Sequence, residues 1–478
     1  MPTTSNHNNE RNSKYFASGE CASGAEIRNS IFNFFWRLTI LILPLQTRWF
    51  SDASLAGWAF EQGRLSFYIS WIPLIITVIL GLFMPKIDLP KKLRANLFWL
   101  IALIGAISIA STPLDIRASS MWWVQVLLLL SFFVTLMRAD IKLASILSWF
   151  IISLIPHAIF ALIQAWLQFV PGWSWVGVAA QDPKNLGVSV VQTGDFRFLR
   201  AYGGFPHPNI LGGFMAFGIL IAGWLFLRMD ELRNKWTELS ILAVIPLFTV
   251  ALFYSFSRSA WLALAVGFIT FLLFVVFNRT HQKIDPIKIA IFSIAVIASF
   301  ITFAFINQDY FLSRVGISPE PARLEQQSTS ARTDSITNGI RVFQSHPIFG
   351  TGPNSELPAL ALQNATLFSK EGHPANAGLG DFRPLEPPHN VFILILANFG
   401  VAGSLIIFGF LLFLLRQILN NWKIGDPNHR GLLLATLGLW LVISLFDHYL
   451  YTLWSGQLLS ILTFFIIISW LKKNPQHN

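Results

Sequence analysis

From residue 31 almost to its end, the chain alternates long apolar stretches with short charged ones. That alternation confines it to one class of fold. Crossing a bilayer takes about 20 mostly apolar residues. Twelve stretches qualify: 31–50, 67–84, 96–111, 119–137, 143–170, 209–227, 238–255, 259–277, 287–306, 389–415, 431–450 and 454–471. The third and the last two are short or closely spaced. Charged residues make up only 12% of the chain, against roughly 25% in soluble domains. We therefore expect an all-α integral membrane protein of about twelve transmembrane helices.

Lys and Arg set the orientation, because they are retained on the cytoplasmic side. With the N-terminus inside, twenty basic residues fall in inner segments, from Arg11 and Lys14 to Lys472 and Lys473. The short outer loops hold four: Arg48, Arg64, Arg117 and Arg258. Both termini are thus expected in the cytoplasm, residues 1–30 as a disordered Asn/Ser-rich tail and 472–478 as a short one. The tail has no basic start followed by an apolar run, so a cleavable signal peptide is not expected. Its Cys21 is the one cysteine, which rules out a disulfide framework and a thiolate metal site. The net charge of +10 is spread along the inner segments and interleaved with no aromatic pattern, so no nucleic-acid surface is expected.

Two loops are long, and both fall outside. One runs from Pro171 to about Pro208; the other covers 307–388, between the ninth and tenth spans. Stretches of this length without a membrane span are usually functional. Within 307–388, Ile336, Ile340 and Phe343 recur at helical spacing, predicting a short helix with one face on the membrane domain. Gly350-Thr-Gly-Pro-Asn354 reads as a turn, and 357–368 as a second helix. The Gly/Pro-rich piece 372–388 has no periodicity and suits a mobile gate. The spans from 31 to 306 and from 389 to 471 would flank this outer loop. Gly212, Gly213, Gly218 and Gly223 in the sixth span would let neighbouring helices approach closely.

Three polar clusters open on the outer side: Arg200 to Asn209, Ser257-Arg258-Ser259 and Pro387-Pro388-His389-Asn390. Each residue also has a plain structural reading. Arg258 can snorkel to the interface, and Arg341 in the loop helix can be solvated. His389 can simply begin a helix, and His207 between prolines can be a turn device with Asn209 as N-cap. Asp447-His448, at the outer end of the eleventh span, either orients His389 or caps a helix, and the second reading is preferred.

The ordered set, however, resembles the O-antigen ligase family and its polymerase-like relatives. The matching pieces are Arg200, Gly203, His207-Pro208-Asn209, Ser257-Arg258, His346-Pro-Ile-Phe-Gly350 with Gly352, and His389-Asn390. They run in order over about residues 195–415. The resemblance implies a GT-C-like bundle in the bacterial inner membrane, with its site facing the periplasm. It implies a glycosyltransferase that moves a glycan from undecaprenyl diphosphate to an acceptor hydroxyl. For a ligase that acceptor is the lipid A core, so the product is lipopolysaccharide. It also implies that His389 occupies the catalytic position.

The residue types suit that chemistry. Arginine binds phosphate oxygens bidentately and never deprotonates, so Arg200 and Arg258 would stabilise the departing diphosphate. No D-x-D pair or carboxylate cluster stands on the outer side, so transfer is expected without a metal or any other cofactor. Histidine has the pKa of a base near neutrality, and nearby arginines would favour the neutral form of His389. Direct attack on the anomeric carbon would invert it. Arg341, His207, Asn209 and Asn390 are the candidate substrate-binding residues. Polysaccharide polymerases and protein O-oligosaccharyltransferases would share these clusters, differing in acceptor. A polysaccharide or lipid transporter is the rival of another class. It would want charged residues near the bilayer midplane and symmetric halves, and few such residues and no such halves are found.

Overall fold

The computed structural model describes residues 24–55, 58–84, 91–111, 113–228, 235–282, 284–317, 323–370, 385–422 and 427–472. Sixteen helices appear among them. In chain order they are α1 (Gly24–Ile42), α2 (Trp71–Gly81), α3 (Lys91–Ala110), α4 (Ile116–Arg138), α5 (Leu143–Leu167) and α6 (Pro208–Leu227). Next come α7 (Lys235–Tyr254), α8 (Arg258–Gln282), α9 (Pro286–Ile306), α10 (Gln308–Val315), α11 (Arg323–Ser345) and α12 (Glu356–Lys370). The last four are α13 (Val391–Asn420), α14 (Pro427–Phe446), α15 (Tyr449–Thr452) and α16 (Trp454–Lys472).

Ten of these helices are long and apolar enough to cross a membrane, α3 to α9, α13, α14 and α16. They match the third to twelfth expected spans, and the fold is that of an all-α, multi-pass membrane protein. The first two expected spans are shorter as helices than their apolar stretches. α1 stops at Ile42, just before Pro44, and begins at Gly24, so residues 24–30 are helical where a tail was expected. Beyond it Arg48–Phe50 forms a strand, β1, that pairs antiparallel with β4 (Ser66–Tyr68). α2 therefore cannot begin before Trp71, and it has only 11 residues. Between the two strands lies a small hairpin of β2 (Ser54–Leu55) and β3 (Trp58–Ala59).

α6 is the axis of the bundle, and all of its residues are buried. It packs against α5, α7, α8, α9 and α14. Its glycines make that enclosure possible. A Cβ on Gly213 would stand 2.1 Å from the Tyr449 hydroxyl, and one on Gly223 would stand 2.3 Å from the Phe292 ring.

The long segment after α9 folds as α10, α11 and α12 over one end of the bundle. α11 covers the helix expected around Ile336, but its buried face differs from the expected one. Ser335, Gly339 and Val342 face inward, whereas Ile340 is exposed. Pro388 sits where a side chain at 339 would be, since a Cβ there would lie 2.4 Å from its Cγ. Close approach through glycine, and not apolar periodicity, has set the rotation of this helix. The expected helix 357–368 is α12. Most of the expected gate, residues 371–384, lies outside the described residues.

α13 is broken at Gly400, which takes φ 61° and ψ −166°. Backbone groups freed inside an apolar bundle must find partners. The His346–Gly352 turn supplies them. Val401 N donates to Pro347 O and Ala402 N to Ile348 O, while Thr351 N and Gly352 N donate to Ala397 O and Asn398 O. The motif His-Pro-Ile-Phe-Gly-Thr-Gly is thus the plug of a helix break.

Candidate active site

The site is assembled from five segments at the end of the bundle covered by α10–α12. The first is a hairpin of β5 (Val190–Thr193) and β6 (Phe196–Leu199). It delivers Arg200, whose own N–H continues the ladder to Ser189 O. The Gln164 side-chain oxygen then accepts from Tyr202 N and Gly203 N, pinning the turn into α6.

Arg200 is buried, at 6% exposure. Its Nε donates to Ser255 O at 2.8 Å and its Nη2 to Asn209 Oδ1 at 2.6 Å. Asn209 in turn donates through Nδ2 to Asp447 Oδ2 at 2.7 Å. Asp447 Oδ1 lies 3.5 Å from His389 Nδ1, an ion pair outside good hydrogen-bond geometry. The other imidazole nitrogen, Nε2, is 3.4 Å from Glu386 Oε2. A chain of charge and amide thus runs from Arg200 through Asn209 and Asp447 to His389.

Two sequence expectations are corrected here. The N-cap of α6 is His207, whose Nδ1 accepts from Asn209 N at 3.1 Å, and not Asn209, whose side chain is committed to Arg200 and Asp447. Asp447 is not merely a helix cap, since its carboxylate faces His389.

The electrostatics follow from this wiring. Burial opposes the charge on His389, but the flanking Asp447 and Glu386 carboxylates hold its pKa up at about 9. The expected neutral form is therefore not the resting one, because carboxylates, and not arginines, are its immediate neighbours. Asp447 is buried too, yet its interaction with His389 holds its carboxyl well below the usual range. Burial, reinforced by Arg200, pushes His207 down to about 3. Burial, reinforced by His389, pushes His448 down to about 4. The His448 ring packs edge-on to His389, with centroids 5.0 Å apart.

Arg258 begins α8 and pairs through Nη1 with Glu325 Oε2 at 3.3 Å. The same carboxylate binds Arg314 through its other oxygen, and Arg314 Nε donates to Phe256 O. Glu325 belongs to α11, so that helix ties the Arg258 hairpin to the His389 region, where Ser335 Oγ accepts from His389 N.

The remaining candidates are placed differently. Asn390 caps α13, its Oδ1 accepting from Phe392 N and Ile393 N while its Nδ2 donates to Leu445 O. Arg341 is exposed on α11, away from the face that carries Ser335. Sequence reasoning missed Glu325 and Arg314 and undervalued Asp447, whose partners lie on other elements; it also missed Glu386, although that residue stands only three positions before its partner His389. His389, Asp447 and His448 also offer three potential ligand atoms within 4.8 Å of one another. Both Asp447 oxygens are already in use, by Asn209 Nδ2 and by the His448 N–H.

Beside the cluster lies an apolar cavity of about 240 Å³ between α3, α4, α13, α14 and α16. Val391, just past His389, and Tyr451, just past His448, form part of its wall, with Leu97, Trp122, Phe133 and Trp440.

Fold and site together define a multi-pass helical membrane protein with an arginine- and histidine-lined polar cluster at one end of its bundle, capped by a helical loop. Residues 241–408 match the family model described as O-antigen ligase. That matched segment includes Arg258, α11, the helix-break plug and His389, so this part of the chain is similar to the O-antigen ligase family. A search of curated proteins found no match.

Proposed function

We propose that this protein is a membrane glycosyltransferase that moves a glycan from undecaprenyl diphosphate to an acceptor hydroxyl on the outer face of the inner membrane. The match of residues 241–408 to the O-antigen ligase family model supports an enzyme of the ligase and polymerase kind, and lipid A core is the acceptor this reading names first. The observation that carries the mechanism is the Asp447–His389 pair, set close to a cluster of guanidinium groups and beside an apolar cavity.

In this reading the acceptor hydroxyl displaces Glu386 from Nε2 of His389, while Asp447 keeps the ring oriented through Nδ1. Nε2, once deprotonated, takes the hydroxyl proton as the acceptor oxygen attacks the anomeric carbon. The bond from that carbon to the diphosphate oxygen breaks, and undecaprenyl diphosphate leaves with the electron pair, so the configuration inverts. Arg258 stabilises the growing negative charge. Arg200, with two donors already spent, contributes mainly its charge, passed through Asn209. The apolar cavity would accommodate part of the prenyl chain.

The test is transfer by purified protein from a short undecaprenyl-diphosphate-linked glycan, offered lipid A core, free glycan-lipid and a Ser/Thr-rich protein together. Product on the first supports the ligase, on the second a polymerase, and on the third a protein transferase. No product on any of them, with donor binding intact, would favour a lipid-diphosphate transporter.

A further inference from the structure

α11 carries its functional side chains along one stripe. Glu325, Arg332, Ser335, Gly339 and Val342 recur at intervals of seven, three, four and three residues, which places them on one face of a helix. The two ends of the stripe are anchored. Glu325 holds Arg258 and Arg314, while Ser335 Oγ accepts from His389 N and position 339 meets Pro388. Arg332 falls between these anchors, one turn from Ser335 and about 10 Å of helix rise from Glu325. The chain fold therefore sets Arg332 between Arg258 and His389.

Its guanidinium differs from the others in the cluster. Arg200 is spent on Ser255 and Asn209, Arg314 on Phe256 and Glu325, and Arg258 on Glu325. Arg332 is half-buried, and among the described residues no side-chain hydrogen bond or ion pair is formed by its guanidinium. Its charge nonetheless reaches groups on four segments, Arg200, Arg314, His389 and the pair Asp447–His448.

The charge count indicates what belongs there. Arg200, Arg258, Arg314, Arg332 and protonated His389 are five cations, against the three carboxylates Glu325, Glu386 and Asp447. Two positive charges remain, the complement of a sugar–diphosphate–lipid diester. An unpaired, half-buried guanidinium beside other cations is unfavourable until an anion arrives, and a planar fork suits two phosphate oxygens.

We propose that Arg332 is the principal diphosphate-binding residue of this protein, gripping the donor between Arg258 and His389. This rests on the lipid-diphosphate reading above and names the side chain that makes the grip. The shared chemistry is a diphosphate, which can be lipid-borne or free.

The test measures binding of undecaprenyl diphosphate and of inorganic pyrophosphate to the purified full-length protein in detergent, with Arg332→Gln, Arg332→Lys and, as control, the exposed Arg117→Gln. R332Q should weaken both ligands by about tenfold or more, with R332K intermediate, because an ammonium keeps the charge but loses the fork. R117Q should bind as wild type does. In transfer assays R332Q should raise KM for the donor more than it lowers kcat. If wild type binds and R332Q binds equally well, the assignment of Arg332 is overturned while the donor class stands. If wild type binds neither ligand, the donor class itself falls and Arg332 with it. Should R332Q fail to fold, R332K decides alone, and wild-type affinity in that variant overturns the proposal. Loss of lipid binding with pyrophosphate binding unchanged would place Arg332 on the lipid instead and overturn it as well.

Discussion

Asp447 Oδ1 stands 3.5 Å from Nδ1 of His389, joining the end of α14 to the start of α13. Asp447 is also held from behind by Asn209 Nδ2, and against the cost of burial Asp447 and Glu386 together hold the imidazole pKa up at about 9.

A base must be neutral to accept a proton, so kcat/KM should rise with pH toward a limb near 9. Glu386→Gln removes one carboxylate from Nε2 and should move that limb to lower pH. His389→Ala should cost about a hundred- to ten-thousand-fold in turnover while donor lipid still binds. Stopped assays across pH 6–10, with lipid binding measured alongside, check this. A flat wild-type profile would remove His389 as the base, and lost donor binding in H389A would make it a positioning residue.

Asn209→Ala leaves Arg200 Nη2 and Asp447 Oδ2 buried without their partner, a loss of about 1–3 kcal/mol or more for charged groups. Freed of that donor, Asp447 should hold the His389 proton more tightly and push the activity limb upward. An unchanged limb in N209A would show that the link is mechanical only.

Transfer should survive EDTA, because arginines supply the charge a metal would otherwise provide. Loss of activity in EDTA with recovery on adding Mg²⁺ would count against this, and would direct attention to His389, Asp447 and His448 as ligands.

Gly350 has φ 69°, and a Cβ there would lie 2.3 Å from Asn398 C, at the plug of the α13 break. Gly350→Ala should destabilise the protein by at least about 2 kcal/mol, read as a lower melting temperature in detergent. An unchanged melt would mean that the break tolerates a different plug.

His207 and His448 are half-buried and neutral, with pKa values of about 3 and about 4. The unfolded chain binds protons at these sites near pH 6.5, before the folded one does, so stability should fall as pH drops from about 6.5 toward 4. His448→Gln should flatten that fall in pH-dependent melting curves; an equally steep fall in H448Q would assign the acid sensitivity elsewhere.

Periodicity and composition were sufficient for the ten long spans, because an apolar run in a bilayer has few alternatives to a helix. They overstated the first two, where Pro44 and the β1–β4 pairing interrupt runs that are apolar in composition alone. Arg258, His389 and the His346–Gly352 motif were legible because each stands out against apolar text. The role of that motif was not, since the backbone it satisfies belongs to a later helix. The Asp447 partner of His389 was equally invisible. Asp447 is an ordinary residue until helix packing brings it within reach, and nothing in a local pattern encodes which distant carboxylate faces an imidazole, whereas Glu386 stands only three residues before His389 and was overlooked. The rotation of α11 was likewise set by Gly339 against Pro388. The sequence by itself determined the membrane class and the residue types available to meet an anionic group, through burial cost and arginine geometry. Tertiary packing alone decided which of those residues are spent on one another and which remain open to a ligand.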